Sequence, residues 1–361
     1  MSSSAAAPSS PDRKRQRTHA TIVTHDGSFH ADEVLACHLL RQLPEFKDAE
    51  IVRSRKPEIW ATASILVDVG AEYNPALNKY DHHQREFQDT FSPAHKTRLS
   101  SAGLIYKHFG KRIIAQLMHV GDGDIENNAQ VELVFNKLYD NLIEAFDGID
   151  NGVSRFPRDT PEAYKDATNL STIVAKLNPF WNEEGLTADG QFRVAMQIVG
   201  SHFDRTAKYL ATAWVPARQA VLDAVAARHT YHAGGHVIVM PTFVPWKDHL
   251  DSIEADLGIA AVAAQLKAPI AENGGAIPDG LPLYVVFPDP AGSWRIQAVP
   301  LTPGSFENRK PLASAWRGLR DDNLDKVTGV PGGVFIHASG FIGGHQTKEG
   351  AIKLAEMAVN M

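Results

Sequence analysis

Short apolar runs alternate with longer amphipathic stretches between residues 21 and 154, a pattern typical of an α/β domain. The apolar runs predict strands at 21–24, 51–52 and 65–67, and the amphipathic stretches predict helices at 32–43, 102–109 and 131–146. Gly110 is expected to end the second of these helices. Because the strands are continuously apolar and separated by helices, we expect a parallel sheet with helices on both faces.

A second, smaller α/β domain is predicted after a mostly helical stretch at 191–235, which Pro216 interrupts and which is expected to connect the two domains. Its strands are predicted at 237–240, 283–287, 294–299 and 334–337, and its helices near 255–266 and 349–359. The predicted organisation is therefore a basic tail at 1–19, a first α/β domain at 20–190, the connecting helices, and a C-terminal domain at 236–361.

Composition narrows the class of protein. The chain has 361 residues, of which 43% are hydrophobic and 22% are charged, so a disordered or fibrous chain is excluded. The net charge is −6, and the tail holds four basic residues and one acidic residue, which leaves −9 for the rest. Such an acidic chain is not suited to wrapping long nucleic acid. The single cysteine, Cys37, excludes an intramolecular disulfide framework, and no apolar run is long enough to span a membrane.

The tail itself is expected to be disordered, and its basic cluster leaves three interpretations open. It is a nuclear address or a phosphate-contacting arm, a mitochondrial presequence, or a solvated tail without a specific partner.

Histidine and aspartate are concentrated at four places where a predicted element ends. The four clusters contain His25, His30 and Asp32; Asp68; Asp81, His82 and His83; and Asp147 and Asp150. Mixed imidazole and carboxylate ligands suit Mn²⁺, Mg²⁺ or Zn²⁺, and two such ions about 3.5–4 Å apart form the usual clamp for phosphoester hydrolysis. Taken singly, a residue such as His25 or Asp32 is more often a helix cap than a ligand, and Asp68, Asp147 and Asp150 also suit turns. The Asp81-His82-His83 triplet has no evident packing purpose, but alone it is a weak signal. The recurrence of the clusters at converging element ends favours a metal site.

The four clusters resemble, in order, the four motifs of the DHH phosphoesterase superfamily. The longer strings THDGSFHADE at 24–33, YDHHQR at 80–85, SSAGLIY at 100–106 and FIHASGFIGGH at 335–345 resemble the melanocyte proliferating gene family within it. The resemblance implies a DHH-like catalytic domain, a DHHA-like substrate-binding domain, and a soluble metal-dependent 3′–5′ exonuclease that acts on an RNA strand end or a short oligonucleotide. It also implies two Mn²⁺ ions, with Mg²⁺ or Zn²⁺ as alternatives, and a location in nucleus and mitochondrion.

The resemblance further assigns roles within the four motifs. It implies metal ligation by Asp32, Asp68, His82 and Asp150, with His25 as a further ligand. His30 is a candidate because it stands near the position of an aspartate in the usual motif. His83, in the Asp81-His82-His83 triplet, is expected beside the metals and in contact with a phosphate oxygen or the leaving group. Asp147 competes with Asp150, which is preferred because its acid-polar-glycine order matches the motif.

In the C-terminal domain, Gly343, Gly344 and His345 resemble a glycine-rich substrate loop, where backbone N–H groups approach a phosphate. The alternative is a tight turn that leaves His345 facing solvent. Arg295 and His337 are expected to add phosphate contacts. Two other functions stay open: hydrolysis of small substrates such as pyrophosphate, a cyclic dinucleotide or a short oligonucleotide, and a non-catalytic scaffold that retains the fold.

Overall fold

The structure is a computed structural model that describes residues 19–157, 159–272 and 275–361. Nearly all of the predicted basic tail therefore lies outside the described residues. The chain divides into two compact units, Met1–Ala211 and Thr212–Met361, and the division falls inside the stretch 191–235 that is predicted to connect two domains. No helix in the described ranges is long and apolar enough to cross a membrane.

The first unit contains a five-stranded sheet in the order β2-β1-β3-β5-β4. Its strands are β1 (Thr21–Thr24), β2 (Glu50–Arg53), β3 (Ile65–Val67), β4 (Tyr73–Asn74) and β5 (Lys79–Tyr80). Strands β2, β1, β3 and β5 run parallel, whereas β4 is antiparallel to β5. The α/β class is confirmed, but the expectation of a purely parallel sheet is wrong. A 3₁₀ turn and the left-handed Asn78 reverse the chain after β4, so a two-strand ribbon replaces a helical crossover at this edge.

Seven helices of the first unit surround this sheet in the described part of the chain. They are α1 (Ala31–Arg41), α2 (Pro57–Trp60), α3 (Ser101–Met118), α4 (Ala129–Leu138), α5 (Glu144–Asp150), α6 (Leu170–Ala175) and α7 (Ala188–Tyr209). Helix α1 is almost wholly buried and packs against α3 and α7. On the sheet, Val23 and Leu66 pack against Ile59 and Trp60 of α2.

One helix prediction in this unit is wrong. Helix α3 continues through Gly110, where a Cβ atom would lie 2.8 Å from ring carbons of Tyr106 and Phe135. This glycine therefore permits close packing inside a helix and does not end it. The helix predicted at 131–146 is helical throughout, and a π-helical turn at Tyr139–Ile143 joins its segments α4 and α5.

The second unit is built on another mixed five-stranded sheet, in the order β6-β7-β8-β10-β9. Its strands are β6 (Val237–Val239), β7 (Tyr284–Pro288), β8 (Trp294–Ala298), β9 (Gly333–Ile336) and β10 (Ile342–His345), and its helices are α8 (Val215–Ala226), α9 (Lys247–Asp256), α10 (Ala260–Ala263), α11 (Asp321–Thr328) and α12 (Lys348–Asn360). Only β6 and β7 are parallel among the paired strands described in this sheet. Pro216 is the second residue of α8, which follows directly on a π-helical turn at Leu210–Trp214.

Two predictions for this unit need correction. The helix expected near 255–266 is two helices, α9 and α10, separated at Gly258, whose positive φ of 75° ends the first. Gly343, Gly344 and His345 do not form a loop, because they belong to β10 and pair with both β8 and β9.

Candidate metal centre

The centre is built where three neighbouring parallel strands end at one edge of the first sheet. His25 follows β1, Asp68 follows β3, and Asp81 and His82 follow β5. Parallel strands deliver their carboxyl ends to the same edge, which is where α/β sheets bind ligands. Asp68 adopts a left-handed backbone conformation with φ 58°, which aspartate tolerates better than most residues.

Two helices complete the centre from opposite ends. The first turn of α1 supplies Asp32 and Glu33, preceded by His30 as its N-cap. Asp150 is the last residue of α5. The structure therefore brings together His25, His30, Asp32, Asp68, His82 and Asp150, all six residues predicted as ligands.

Asp68 lies between two histidines. Its Oδ2 is 3.3 Å from His25 Nε2, and its Oδ1 is 3.3 Å from His82 Nε2. His82 Nε2 is also 3.3 Å from Asp150 Oδ2, and His25 Nε2 is 3.1 Å from Glu33 Oε1. Each imidazole thus faces two carboxylates, an arrangement of donors that a cation can share.

Several of the buried oxygen and nitrogen atoms that could bind a metal lack a hydrogen-bond partner among the described residues. They are Asp32 Oδ1, Asp68 Oδ1 and both ring nitrogens of His82. The 3.3 Å contacts of His82 are close, but they do not have hydrogen-bonding geometry. Because an unsatisfied buried polar atom costs about 1–3 kcal/mol, this concentration of orphaned atoms fits a bound metal ion.

The electrostatics of the cluster lead to the same interpretation. Burial raises the pKa of Asp150 to about 7, and the neighbouring charge of Asp32 contributes to the rise. Burial, with repulsion from Asp32 and Asp68, raises the pKa of Glu33 well above its ordinary value. Burial alone would lower the pKa of His25, but its contacts with Asp68 and Glu33 outweigh this and raise it to about 10. A divalent cation would relieve the repulsion among these carboxylates.

The donors fall into overlapping groups, in each of which the ligand atoms lie within 4.8 Å of one another. The groups are His25-His30-Glu33, Asp32-Glu33-Asp68, His30-Asp32-Asp150 and Asp68-His82-His83. The overlap provides donors for more than one ion. Their hard oxygens and borderline nitrogens suit Mn²⁺, Mg²⁺ or Zn²⁺.

Glu33 is the main residue that the sequence-based ligand set lacks. It is fully buried, and its two oxygens accept from the His30 backbone N–H at 2.8 and 3.1 Å. It therefore caps α1 and faces His25 at the same time. The signal was its place directly after Asp32 in the first motif, which also fits an ordinary capping box.

Asp81 and His83 contact each other at the edge of the cluster. The His83 backbone N–H donates to Asp81 Oδ1 at 3.1 Å, and His83 Nδ1 lies 2.7 Å from the same oxygen. The contact with Asp81 raises the pKa of His83 to about 9. The His83 side chain is 60% exposed, so it can reach a substrate, whereas Asp81 is buried and positions it.

Asp147 lies apart from this cluster. Its Oδ1 accepts from Ser100 N (2.9 Å), Ser100 Oγ (2.7 Å) and Gly103 N (3.1 Å), and Tyr139 Oη donates to its Oδ2 at 2.8 Å. Asp147 thus holds the first turn of α3 against the π-helical turn. Of the two competing acids, the geometry favours Asp150 as the ligand.

The cluster opens into a cavity of about 1050 Å³. Two arginines that the sequence analysis did not single out line it together with the candidate ligands. Arg55 Nη2 is 3.1 Å from His25 Nδ1, and Arg98 Nε donates to Asn151 Oδ1 at 2.7 Å. These positive groups counterbalance the acids and suit an anionic substrate.

The residues expected to bind substrate in the second unit lie in and beside its sheet. Gly344 pairs with Arg295 across β8 and β10, and a Cβ atom on Gly344 would lie 2.6 Å from Arg295 Nη1. The Arg295 guanidinium lies over the Phe335 ring, 5.4 Å from its centroid. His345 is buried, and its Nε2 is 3.1 Å from Pro331 O, so the alternative of a solvent-facing His345 is wrong. His337 follows β9, with its Nδ1 3.0 Å from Ser339 Oγ.

Comparison with known proteins adds an independent finding. Residues 21–359 match the family model MYG1_exonuc, described as Uncharacterised protein family (UPF0160). The chain is 43% identical to MYG1 exonuclease of Homo sapiens over 353 residues, covering 96% of this chain and 88% of that protein. It is 42% identical to MYG1 exonuclease of Mus musculus (96% and 87% covered) and to MYG1 protein of Dictyostelium discoideum (94% and 96% covered). No solved structure matches the chain.

Proposed function

This chain belongs to the MYG1 exonuclease family (UPF0160), and from that premise we propose that it is a metal-dependent 3′–5′ exonuclease of RNA with a DHH-like catalytic domain. The observation that carries the proposal is the set of buried, unpartnered donor atoms of Asp32, Asp68 and His82 at the ends of the parallel strands. The names of the mammalian relatives supply the exonuclease class. The RNA substrate, the polarity and a location in nucleus and mitochondrion are proposed from the motif resemblance.

Two divalent ions, proposed as Mn²⁺, would be held by His25, Asp32, Asp68, His82 and Asp150, with His30 and Glu33 as further donors. Such ions acidify a water and neutralise charge on the scissile phosphate and the leaving oxygen. Asp68 could contribute one oxygen to each ion, because its two oxygens face different histidines.

The other residues of the cavity orient the substrate and move protons. Asp81 fixes the His83 ring, and its carboxylate favours the protonated form of the imidazole. A protonated His83 can donate a hydrogen bond to a phosphate oxygen or to the leaving oxygen. Arg55 and Arg98 place positive charge in the same cavity, where they offset the phosphate charge of the strand end.

In the second unit, we assign phosphate contacts to the side chains of Arg295 and His337. The backbone of Gly343, Gly344 and His345 is not included, because it pairs with β8 and β9. Gly344 leaves room for the Arg295 guanidinium, which is ion-paired with Asp289. The net charge of −9 outside the tail favours capture of a strand end or a short oligonucleotide over binding along a long RNA.

The test is hydrolysis of 5′-labelled RNA and DNA oligomers with Mn²⁺, Mg²⁺ or Zn²⁺. We expect RNA products that shorten one nucleotide at a time from the 3′ end. Replacing His82 and His83 by alanine should abolish this activity, whereas His95→Ala, a histidine outside the cavity, should retain it. Full activity in a folded, metal-stripped sample would overturn the proposal.

The same experiment separates the two alternatives. A rate that does not increase from a dinucleotide to a longer RNA favours a phosphodiesterase of small substrates, which the acidic charge also supports. A folded chain without hydrolysis of any oligomer, pyrophosphate or cyclic dinucleotide with any of the three cations indicates a scaffold.

A further inference from the structure

Two large aromatic side chains are exposed on a turn that follows α6. Residues of α6 line the cavity of the candidate metal centre, which we call the metal cavity. Phe180 is 62% exposed and Trp181 is 96% exposed. Large aromatic side chains normally bury most of their surface, so two adjacent exposed rings are a candidate binding surface.

This turn is connected to the metal centre through α6 and Asn178. Ser171, Thr172 and Ala175 of α6 line the metal cavity. Two residues before Phe180, Asn178 makes a reciprocal pair of hydrogen bonds with the backbone of Phe29: Phe29 N donates to Oδ1 and Nδ2 donates to Phe29 O, both at 2.9 Å. Because Phe29 belongs to the loop between β1 and α1, the turn is fixed to the loop that carries His25 and His30.

The turn is also ordered within itself. Phe180 N donates to Glu183 Oε2 at 3.1 Å, and Glu183 N donates to Phe180 O at 3.1 Å. The rings are therefore presented on a closed turn that begins five residues after Ala175, which lines the cavity. Glu183 and Glu184 follow them, so the local charge disfavours phosphate groups or an anionic membrane surface as the occupant.

We propose that Phe180 and Trp181 form a stacking platform for a nucleobase of a single-stranded substrate whose end lies in the metal cavity. The inference rests on the proposed exonuclease function and names how the substrate is recognised. Every base offers an aromatic face, so the platform accepts any sequence and selects unpaired strands. It uses base faces, which the acidic neighbours do not repel, while the phosphates are left to the cavity.

Binding is measured by fluorescence anisotropy with a 5′-labelled ten-nucleotide RNA in EDTA, and with the same RNA carrying abasic sugars at its three 3′-terminal positions. Trp181→Ala and Phe180→Ala are expected to raise the Kd for the base-bearing RNA about 5- to 150-fold, the range that loss of one stacked base produces. Neither change should alter the Kd for the abasic RNA. Trp181→Phe should retain most of the affinity, whereas Trp181→Leu, apolar but not aromatic, should not.

Phe306→Ala is the matched control, because Phe306 is fully exposed but lies in the second unit. Equal losses for base-bearing and abasic RNA, or no loss for either, would overturn the platform. So would a wild-type chain that binds both RNAs equally. Light scattering adds a further outcome: if Trp181→Ala converts a dimer into a monomer, the rings form a contact between copies and the inference is wrong.

The outcomes also separate this inference from the proposed function. If the wild-type chain hydrolyses RNA with metal but Trp181→Ala binds normally, the platform fails and the exonuclease stands. If the wild-type chain binds base-bearing RNA through Trp181 but cleaves nothing with any cation, the exonuclease fails and the platform stands.

Discussion

Replacing Asp147 by alanine tests whether this acid stabilises the first unit and Asp150 binds metal. Asp147 is fully buried, and four donor groups converge on its two oxygens: the N–H groups of Ser100 and Gly103, and the hydroxyls of Ser100 and Tyr139. Alanine offers none of them an acceptor. All four donors lie inside the fold, where water does not readily replace the carboxylate.

The size of the effect follows from these contacts. A buried donor left unsatisfied costs roughly 1 kcal/mol or more, so four of them amount to about 4 kcal/mol. Relief of the buried charge reduces this figure, since burial raises the pKa of Asp147 to about 7, and the cavity left by the side chain increases it. We expect the free energy of unfolding to fall by about 3–5 kcal/mol, which lowers the Tm of a unit of this size by about 6–20 °C.

The assay is urea unfolding followed by circular dichroism, together with calorimetric titration of Mn²⁺. Asp147→Ala should unfold at a lower urea concentration, and its folded fraction should still bind Mn²⁺. Tyr139→Phe removes one of the four donors and should cost about 1 kcal/mol. Asp150→Asn should keep the stability, because it removes repulsion with Asp32, but should weaken Mn²⁺ binding. Wild-type stability of Asp147→Ala, with several kcal/mol lost in Asp150→Asn, would refute this assignment.

Three further predictions concern the metal and the helix packing. Removing metal should abolish hydrolysis and lower the Tm, and added Mn²⁺ should restore both. The Tm should fall because an ion that binds only the folded state stabilises it. An unchanged Tm would count against the site. His82→Ala should reduce Mn²⁺ affinity at least about tenfold without unfolding the chain, checked by titration and circular dichroism. Gly110→Ala should lower the free energy of unfolding, measured by urea titration, by about 1–3 kcal/mol, since its Cβ would meet the rings of Tyr106 and Phe135. Gly148→Ala has room for a Cβ and should be neutral or stabilising in the same titration.

The sequence could predict the position of the metal centre because the centre depends on local patterns. Apolar runs mark β1 and β3, and a polar residue directly after each run, His25 or Asp68, must lie at the end of its strand. Strand β5 has only two residues and leaves no apolar run to detect. The Asp81-His82-His83 triplet was therefore recognisable only by its composition and its resemblance to a motif, although it reaches the same edge of the sheet.

Glycines show where local patterns fail. Gly110 reads as a helix end and the Gly343-Gly344 pair reads as a loop, because glycine is common in both settings. In the structure, each leaves room for a side chain of a neighbouring helix or strand, such as Phe135 at Gly110. A Cβ on Gly343 would lie 2.3 Å from Ile336 Cδ1, and one on Gly344 would lie 2.6 Å from the Arg295 guanidinium. Such contacts cannot be predicted from the neighbouring sequence, because a close approach between strands or helices is known only once the fold is known.

The two acids of α5 show how one helical turn separates a structural carboxylate from a proposed metal ligand. Asp147 and Asp150 are three residues apart, so they differ by about 4.5 Å along the helix axis. Asp147 lies inside the helix and meets internal donors. Asp150 is its last residue and remains partly exposed beside His82, and two residues later Gly152, at φ 69°, turns the chain away. A metal ligand must lie where an ion and a substrate can reach it, and a helix end provides that access. The glycine that follows the acid thus gives a physical reason why the acid-polar-glycine order favours Asp150 as the proposed ligand.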